Sequence, residues 1–189
     1  MNASGQVARD GSAVDLALDG VAPLALANDI LRPRSLSGLL QYDLKISGPP
    51  ELASVSGQIS TQGARMSLPS AGLALEDIAA SIQMGANQAQ LALSGGVSTG
   101  GRLRVTGPVS LSPPYAADLE AELTSVRLTD PTLFETAVDG RVRLSGPLTG
   151  GADLSGRLAL SDSELRIPAN SGASHATLPG LQHVNEPAP

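Results

Sequence analysis

The chain has 189 residues, a formal charge of −6, no cysteine, no tryptophan and a single lysine, Lys45. That balance excludes a nucleic-acid binder, which needs a basic stripe to displace counterions from phosphates; without cysteine there is no disulfide framework, thiolate nucleophile or cysteine metal site. Gly (21) and Pro (14) together make about a fifth of the residues against the usual eighth or so, and the only aromatics are Tyr42, Tyr115 and Phe134, so the chain turns often and any core is aliphatic.

Strand periodicity puts residues two apart on one face. Val14, Leu16 and Leu18 open the pattern, with Asp15 between them. The stretch Ala22 to Ala27 imitates the small-residue end of a signal peptide, but Asp10, Asp15 and Asp19 precede it where a basic region and an apolar core belong, so no leader is read there. Leu40, Tyr42, Leu44 and Ile46 alternate with Gln41, Asp43 and Lys45; Ala64, Met66 and Leu68 continue the figure. Between Gly72 and Gly85, alternation through Ile78, Ala80, Ile82 and Met84 predicts a strand, with a helix on Leu75, Ile78 and Ile82 as the competing reading.

The same pattern returns at Ala89, Leu91 and Leu93, at Leu103 and Val105 between Arg102 and Arg104, and at Leu119, Ala121 and Leu123 against Glu120 and Glu122. It returns again at Val142 and Leu144 against Arg141 and Arg143, and at Leu158 and Leu160. Gly48-Pro49, Gly107-Pro108 and Gly146-Pro147 read as corners, because glycine supplies turn conformations and proline cannot donate to a ladder. Gly38, Gly57, Gly140 and Gly156 precede or enter the following strands. Asp130-Pro131 is expected to cap one helical turn through Phe134. The count is about a dozen strands at all-β spacing. Residues 1–168 read as one β-repeat region and 169–189, which loses the alternation, as a flexible tail or severed connector. No run approaches the roughly 18 to 20 apolar residues of a membrane span, so an anchor is expected to lie outside this chain.

Chemistry is scarce. Gly96-Val97-Ser98-Thr99-Gly100 matches the nucleophile-elbow formula, but an alternating strand follows it instead of a helix, and both histidines, His175 and His183, lie in the tail; it reads as a glycine-rich β-turn. Glu120 and Glu122 share a face opposite Leu119, Ala121 and Leu123, so they are expected to point to water, as are the paired arginines, with cross-strand ion pairs available. Gly150-Gly151-Ala152-Asp153 reads as a turn. No catalytic, cofactor-binding or metal-binding set is read, and the chain is expected not to be an enzyme.

Two phrases, SGLLQYDLKISGPPELASVSGQISTQGARMSLP (37–69) and VDGRVRLSGPLTGGADLSGRLALSDSELRIP (138–168), together resemble the C-terminal repeat region of the TamB family. The second carries the resemblance furthest: a glycine-led strand, Ser-Gly-Pro-Leu, Ser-Gly-Arg-Leu, and a strand ending Arg166-Ile167-Pro168. The tail SHATLPGLQHVNEP is similar to the connector after such repeats in alphaproteobacterial members. The resemblance implies a fragment of a large periplasmic protein anchored in the inner membrane and paired with TamA, an outer-membrane barrel protein. It also implies a long curved sheet, a β-taco with an apolar concave face, and a role in outer-membrane protein and autotransporter assembly and in phospholipid transport between the membranes.

Periodicity alone allows either that open, elongated sheet or a closed β-sandwich. In the open form, Leu44, Ile46, Ile59, Met66, Leu68, Leu119, Leu123, Leu158, Leu160 and Ile167 are the expected lining of a groove for phospholipid acyl chains. The alternatives are a chaperone-like surface that takes up unfolded outer-membrane strands at its edges, and a displayed adhesin or passenger solenoid; the latter usually shows polar ladders and a stricter repeat than this chain has.

Overall fold

The computed structural model describes residues 2–130 and 134–165. The described residues form eleven strands: β1 (Asn2–Val7), β2 (Val14–Pro23), β3 (Ser35–Ser37), β4 (Leu39–Gly48), β5 (Val55–Leu68), β6 (Leu73–Gly85), β7 (Gln88–Val97), β8 (Arg102–Ser110), β9 (Ala116–Asp130), β10 (Phe134–Pro147) and β11 (Asp153–Leu165). They make one antiparallel sheet in the order β1-β2-β4-β5-β6-β7-β8-β9-β10-β11, with β3 alongside the far end of β5. The sheet is open and curved: β1 and β11 are its two edges and do not pair with each other. A closed sandwich, the other arrangement the periodicity allowed, does not form, because all the described strands, β3 beside β5 included, join one sheet and none is left to make a second that covers it. Leu73–Gly85 is strand, as the alternation predicted; Ala71 closes a short 3-10 turn before it.

The hairpins follow the punctuation in the sequence, with one correction. Gly48-Pro49 and Gly146-Pro147 do end strands, and Gly150 and Gly151 lie in the turn between β10 and β11. Gly107-Pro108 does not turn the chain: both residues lie inside β8, where Pro108 stands opposite Gln90. Glycine makes this possible. Gly107 has φ +144°, and a Cβ there would sit 2.0 Å from the Asp118 carbonyl oxygen on β9, a closeness that only a missing side chain permits. The helical turn expected from Asp130-Pro131 rests on residues 131–133, outside the described residues.

Register then fixes the faces. Ala22, Leu40, Thr61, Ala80, Leu93, Val105, Ala121, Val142 and Gly156 stand side by side on nine successive strands, in one row running across the sheet. One residue away, on the opposite face, Arg104, Glu122, Arg141 and Arg157 form a charged row. Burial alternates accordingly: in β4 every even residue from Leu40 to Gly48 is half-buried and every odd one exposed.

Near one end of the strands the sheet is creased. Gly63 on β5, Asp77 on β6, Ser125 on β9 and Asp162 on β11 all have positive φ, and each coincides with a register shift. An extra residue in one strand of a pair bends it and sharpens its twist. The bulge on β9 is satisfied locally, since the Ser125 N–H donates to Asp139 Oδ1 at 2.8 Å. Here the aliphatic side chains converge: Ala64, Leu75, Ile78, Val97 and Val126 form the buried cluster, with Leu24, Met66, Leu68 and Leu123 among those packed against it. Leu24 comes from the connection between β2 and β3, which also holds the short helix α1 (Asn28–Leu31). That connection is clasped to β3 by Asn28, whose Oδ1 accepts from the Leu36 N–H at 2.7 Å and whose Nδ2 donates to the Leu36 carbonyl at 3.1 Å.

Candidate functional site

Away from the crease the apolar face has no covering layer. Its side chains touch one another within the sheet, and among the described residues no large one is completely buried. Nine of the ten expected lining residues share this face through the register. Leu44 stands beside Leu18 and Gly57, Ile46 beside Leu16 and Val55, and Ile59 beside Tyr42 and Ile82. Met66 pairs with Leu75 and Leu68 with Leu73. Leu119 meets Leu144, Leu123 meets Leu103 and Gly140, Leu158 meets Gly140, and Leu160 meets Val138. The tenth, Ile167, lies outside the described residues. Met66, Leu68 and Leu123 belong to the packed crease, whereas Leu158 and Leu160 lie exposed on the edge strand.

Val97, Val126 and Val138 were not among the residues expected here, and they are buried on this face. For Val126 the signal was the spacing, since from Leu123 the apolar step is three instead of two, which marks the extra residue of a bulge; Val97 and Val138 keep the period-two phase of Leu93 and Val142 across an intervening glycine. Two threonines on the apolar face are tied to neighbours. Thr61 Oγ1 donates to the Leu39 carbonyl at 2.7 Å, and Thr136 Oγ1 donates to the Ser161 carbonyl at 3.2 Å.

The opposite face is a lattice of charge. Arg143 Nε donates to Asp118 Oδ1 at 2.6 Å, Arg141 Nη2 to Glu122 Oε1 at 3.1 Å, and Arg65 Nη1 lies 2.7 Å from Glu76 Oε1. The hydrogen bond from Arg143 holds the Asp118 carboxyl below the usual carboxylate range, and Asp118 in turn raises the Arg143 guanidinium. Glu120 and Glu122 thus serve the surface lattice. A depression of about 640 Å³ on this side lies open between Ser94, Gly96, Arg102, Arg104 and Glu122.

The elbow-like motif has a structural role. It forms the tip of the β7–β8 hairpin, where Ser98 Oγ accepts from the Ala74 N–H at 2.9 Å and the Ser98 N–H donates to the Ala74 carbonyl at 2.8 Å. No histidine is among the described residues; His175 and His183 lie outside them. Among the described residues no three His, Asp or Glu side chains gather as a metal site.

A family model, the TamB C-terminal domain, matches residues 90–188. The chain belongs to the TamB family. The match takes in most of β7 and all of β8 to β11. Neither a curated protein nor a solved structure gives a significant match. TamB proteins are non-enzymatic components of the translocation and assembly module, an envelope-associated system that includes TamA. No helix among the described residues is long and apolar enough to cross a membrane.

Proposed function

We propose that the apolar face of this TamB sheet is a passive surface for phospholipid acyl chains, serving lipid transport between the inner and outer membranes alongside outer-membrane protein and autotransporter assembly. In this reading the parent protein spans the periplasm from an inner-membrane anchor and meets TamA through parts other than this chain. The observation that carries it is the mostly aliphatic row across nine strands, broken only by Thr61 and ending at Gly156, with no second sheet over it among the described residues.

The energetics fit a conduit. An acyl chain in water exposes methylenes at about 0.8 kcal/mol each, so a sixteen-carbon chain crossing unaided faces a cost on the order of 10 kcal/mol. A face of Leu, Val, Ile and Ala removes most of it. Because that face is about as apolar as a bilayer interior, entry and exit both stay near neutral. The ten strands in series have nine gaps of about 4.8 Å, so the track runs for roughly 43 Å along the sheet. Few polar groups along it means little headgroup selection by this face.

The test is site-specific photocrosslinking in cells carrying the full-length protein. Probes at Leu44, Ile59 and Leu119 are expected to capture phospholipid, and probes at Lys45, Glu120 and Arg143 are not. Equal labelling of the two faces would overturn the reading.

A further inference from the structure

The charged lattice of the polar face leaves two arginines unmatched in the middle of the sheet. Ser94, Arg104, Glu122 and Arg141 stand side by side on β7 to β10, so Arg104 faces Glu122 directly. Glu122 nevertheless turns the other way and accepts from Arg141 Nη2 at 3.1 Å. Two residues along, toward the β7–β8 hairpin tip, the row reads Gly96, Arg102 and Thr124 and holds no acid. Among the described residues neither Arg102 nor Arg104 has an ion-pair partner, whereas Arg65, Arg141 and Arg143 each do.

Both arginines border the open depression of about 640 Å³, which Ser94 and Thr124 also line. Residues two apart on a strand stand about 7 Å apart on one face, so the two guanidinium forks can converge on one small group between them. No side chain rises from Gly96 to fill that space: a Cβ there would have only the Glu76 carbonyl oxygen within 4 Å, at 3.8 Å. An opposing charge stands at the rim in Asp77, the positive-φ residue of the β6 bulge, which has no ion pair among the described residues. We propose that Arg102 and Arg104 form a binding site for a single phosphate group, with the Ser94 and Thr124 hydroxyls as further donors.

The donor set selects phosphate over carboxylate. Two guanidinium forks and two hydroxyls offer more donors than the two oxygens of a carboxylate can accept, while a phosphomonoester brings three terminal oxygens and about two negative charges. Two arginines do not make the basic stripe that a run of nucleic-acid phosphates requires, so the ligand carries its phosphate singly. That group comes either from a soluble phosphomonoester or from a lipid headgroup at a bilayer surface facing the sheet. The site lies on the face opposite the acyl-chain surface and stands or falls without it.

Isothermal titration of the full chain with inorganic phosphate, and co-sedimentation with phosphatidylcholine vesicles with and without phosphatidic acid, test the site and separate the two sources. Saturable binding in at least one arm is expected, weakened about tenfold or more in the Arg102→Ser, Arg104→Ser double variant. The Arg9→Ser, Arg34→Ser double variant removes the same charge from two other arginines without ion pairs and is expected to bind as the wild type does. Asp77→Asn is expected to tighten binding about threefold, since it removes an unpaired opposing charge and asparagine tolerates the left-handed φ. Phosphate bound in solution, with sedimentation indifferent to phosphatidic acid, assigns a soluble phosphomonoester; sedimentation that requires phosphatidic acid assigns a headgroup. No saturable binding in either arm, an equal loss in the two double variants, no tightening in Asp77→Asn, or competition by acetate as strong as by phosphate would overturn the proposal.

Discussion

Gly140 is where the curvature and the apolar face depend on the absence of a side chain. It lies within β10 at φ +147°, in register between Leu123 on β9 and Leu158 on β11. A Cβ there would sit 2.1 Å from the Arg157 carbonyl oxygen and 3.0 Å from Leu158 Cα, both backbone atoms that no rotamer change can move aside. Gly140→Ala has two costs. Holding alanine in this region of φ costs about 1–3 kcal/mol. Pushing β11 away weakens the flanking ladder bonds, each worth about 0.5–1.5 kcal/mol net. The loss of unfolded-chain freedom returns about 0.4–1 kcal/mol. The expected net loss is about 2–3 kcal/mol. Urea unfolding followed by circular dichroism reads it as a midpoint lowered by about 1 M, for a slope near 2 kcal/mol per molar, with that slope unchanged. Gly85→Ala is the control: Gly85 has no positive φ and nothing within 4 Å of its would-be Cβ, so that variant is expected to be neutral or stabilised by up to about 1 kcal/mol. Equal stability of the two variants would refute the role given to the mid-strand glycines.

Ile78→Ala, at a crease residue only 4% exposed, is expected to cost about 2–4 kcal/mol, while Leu160→Ala, at an edge residue 66% exposed, changes stability by no more than about 0.5 kcal/mol in the same urea assay. Asp118 contributes to stability above its unfolded pKa of about 3.9, because Arg143 lowers its folded value, and that contribution is lost as pH falls through the lowered value. Thermal midpoints across acid pH are therefore expected to fall less steeply in Asp118→Asn than in the wild type, and high salt should narrow the gap at neutral pH. Ser98, held by Ala74 at a hairpin tip, is expected to remain unlabelled by a fluorophosphonate probe under conditions that saturate a serine hydrolase.

Most of the fold is legible because alternation survives in nearly every strand: Leu40 to Ile46 and Leu119 to Leu123 place their apolar side chains on the face the period predicts. What was hidden is where alternation skips. Val126 falls out of phase with Leu119 to Leu123 because Ser125 adds a residue to β9, and a bulge leaves only a step of three behind it. Gly107-Pro108 misleads for a related reason. The same dipeptide that ends β4 at Gly48 sits within β8, where its conformation depends on the approach of Asp118 across the sheet, a non-local contact absent from any local pattern. The openness of the sheet was also beyond periodicity, since a filled core and a bare face have the same alternation. Asn28, which clasps Leu36 from eight residues away, gave no signal beyond its identity.

The central claim is that acyl chains lie on one face of this sheet and not on the other. The chain contains no tryptophan, so one introduced indole reports without background. Leu119→Trp and Glu120→Trp place that indole on opposite faces of β9 in adjacent positions. Titration with a monodisperse phospholipid whose acyl chains are brominated measures contact quenching at each. Strong saturable quenching of Leu119→Trp with little at Glu120→Trp is the expected result; equal quenching at the two positions, or none at Leu119→Trp, would contradict the account.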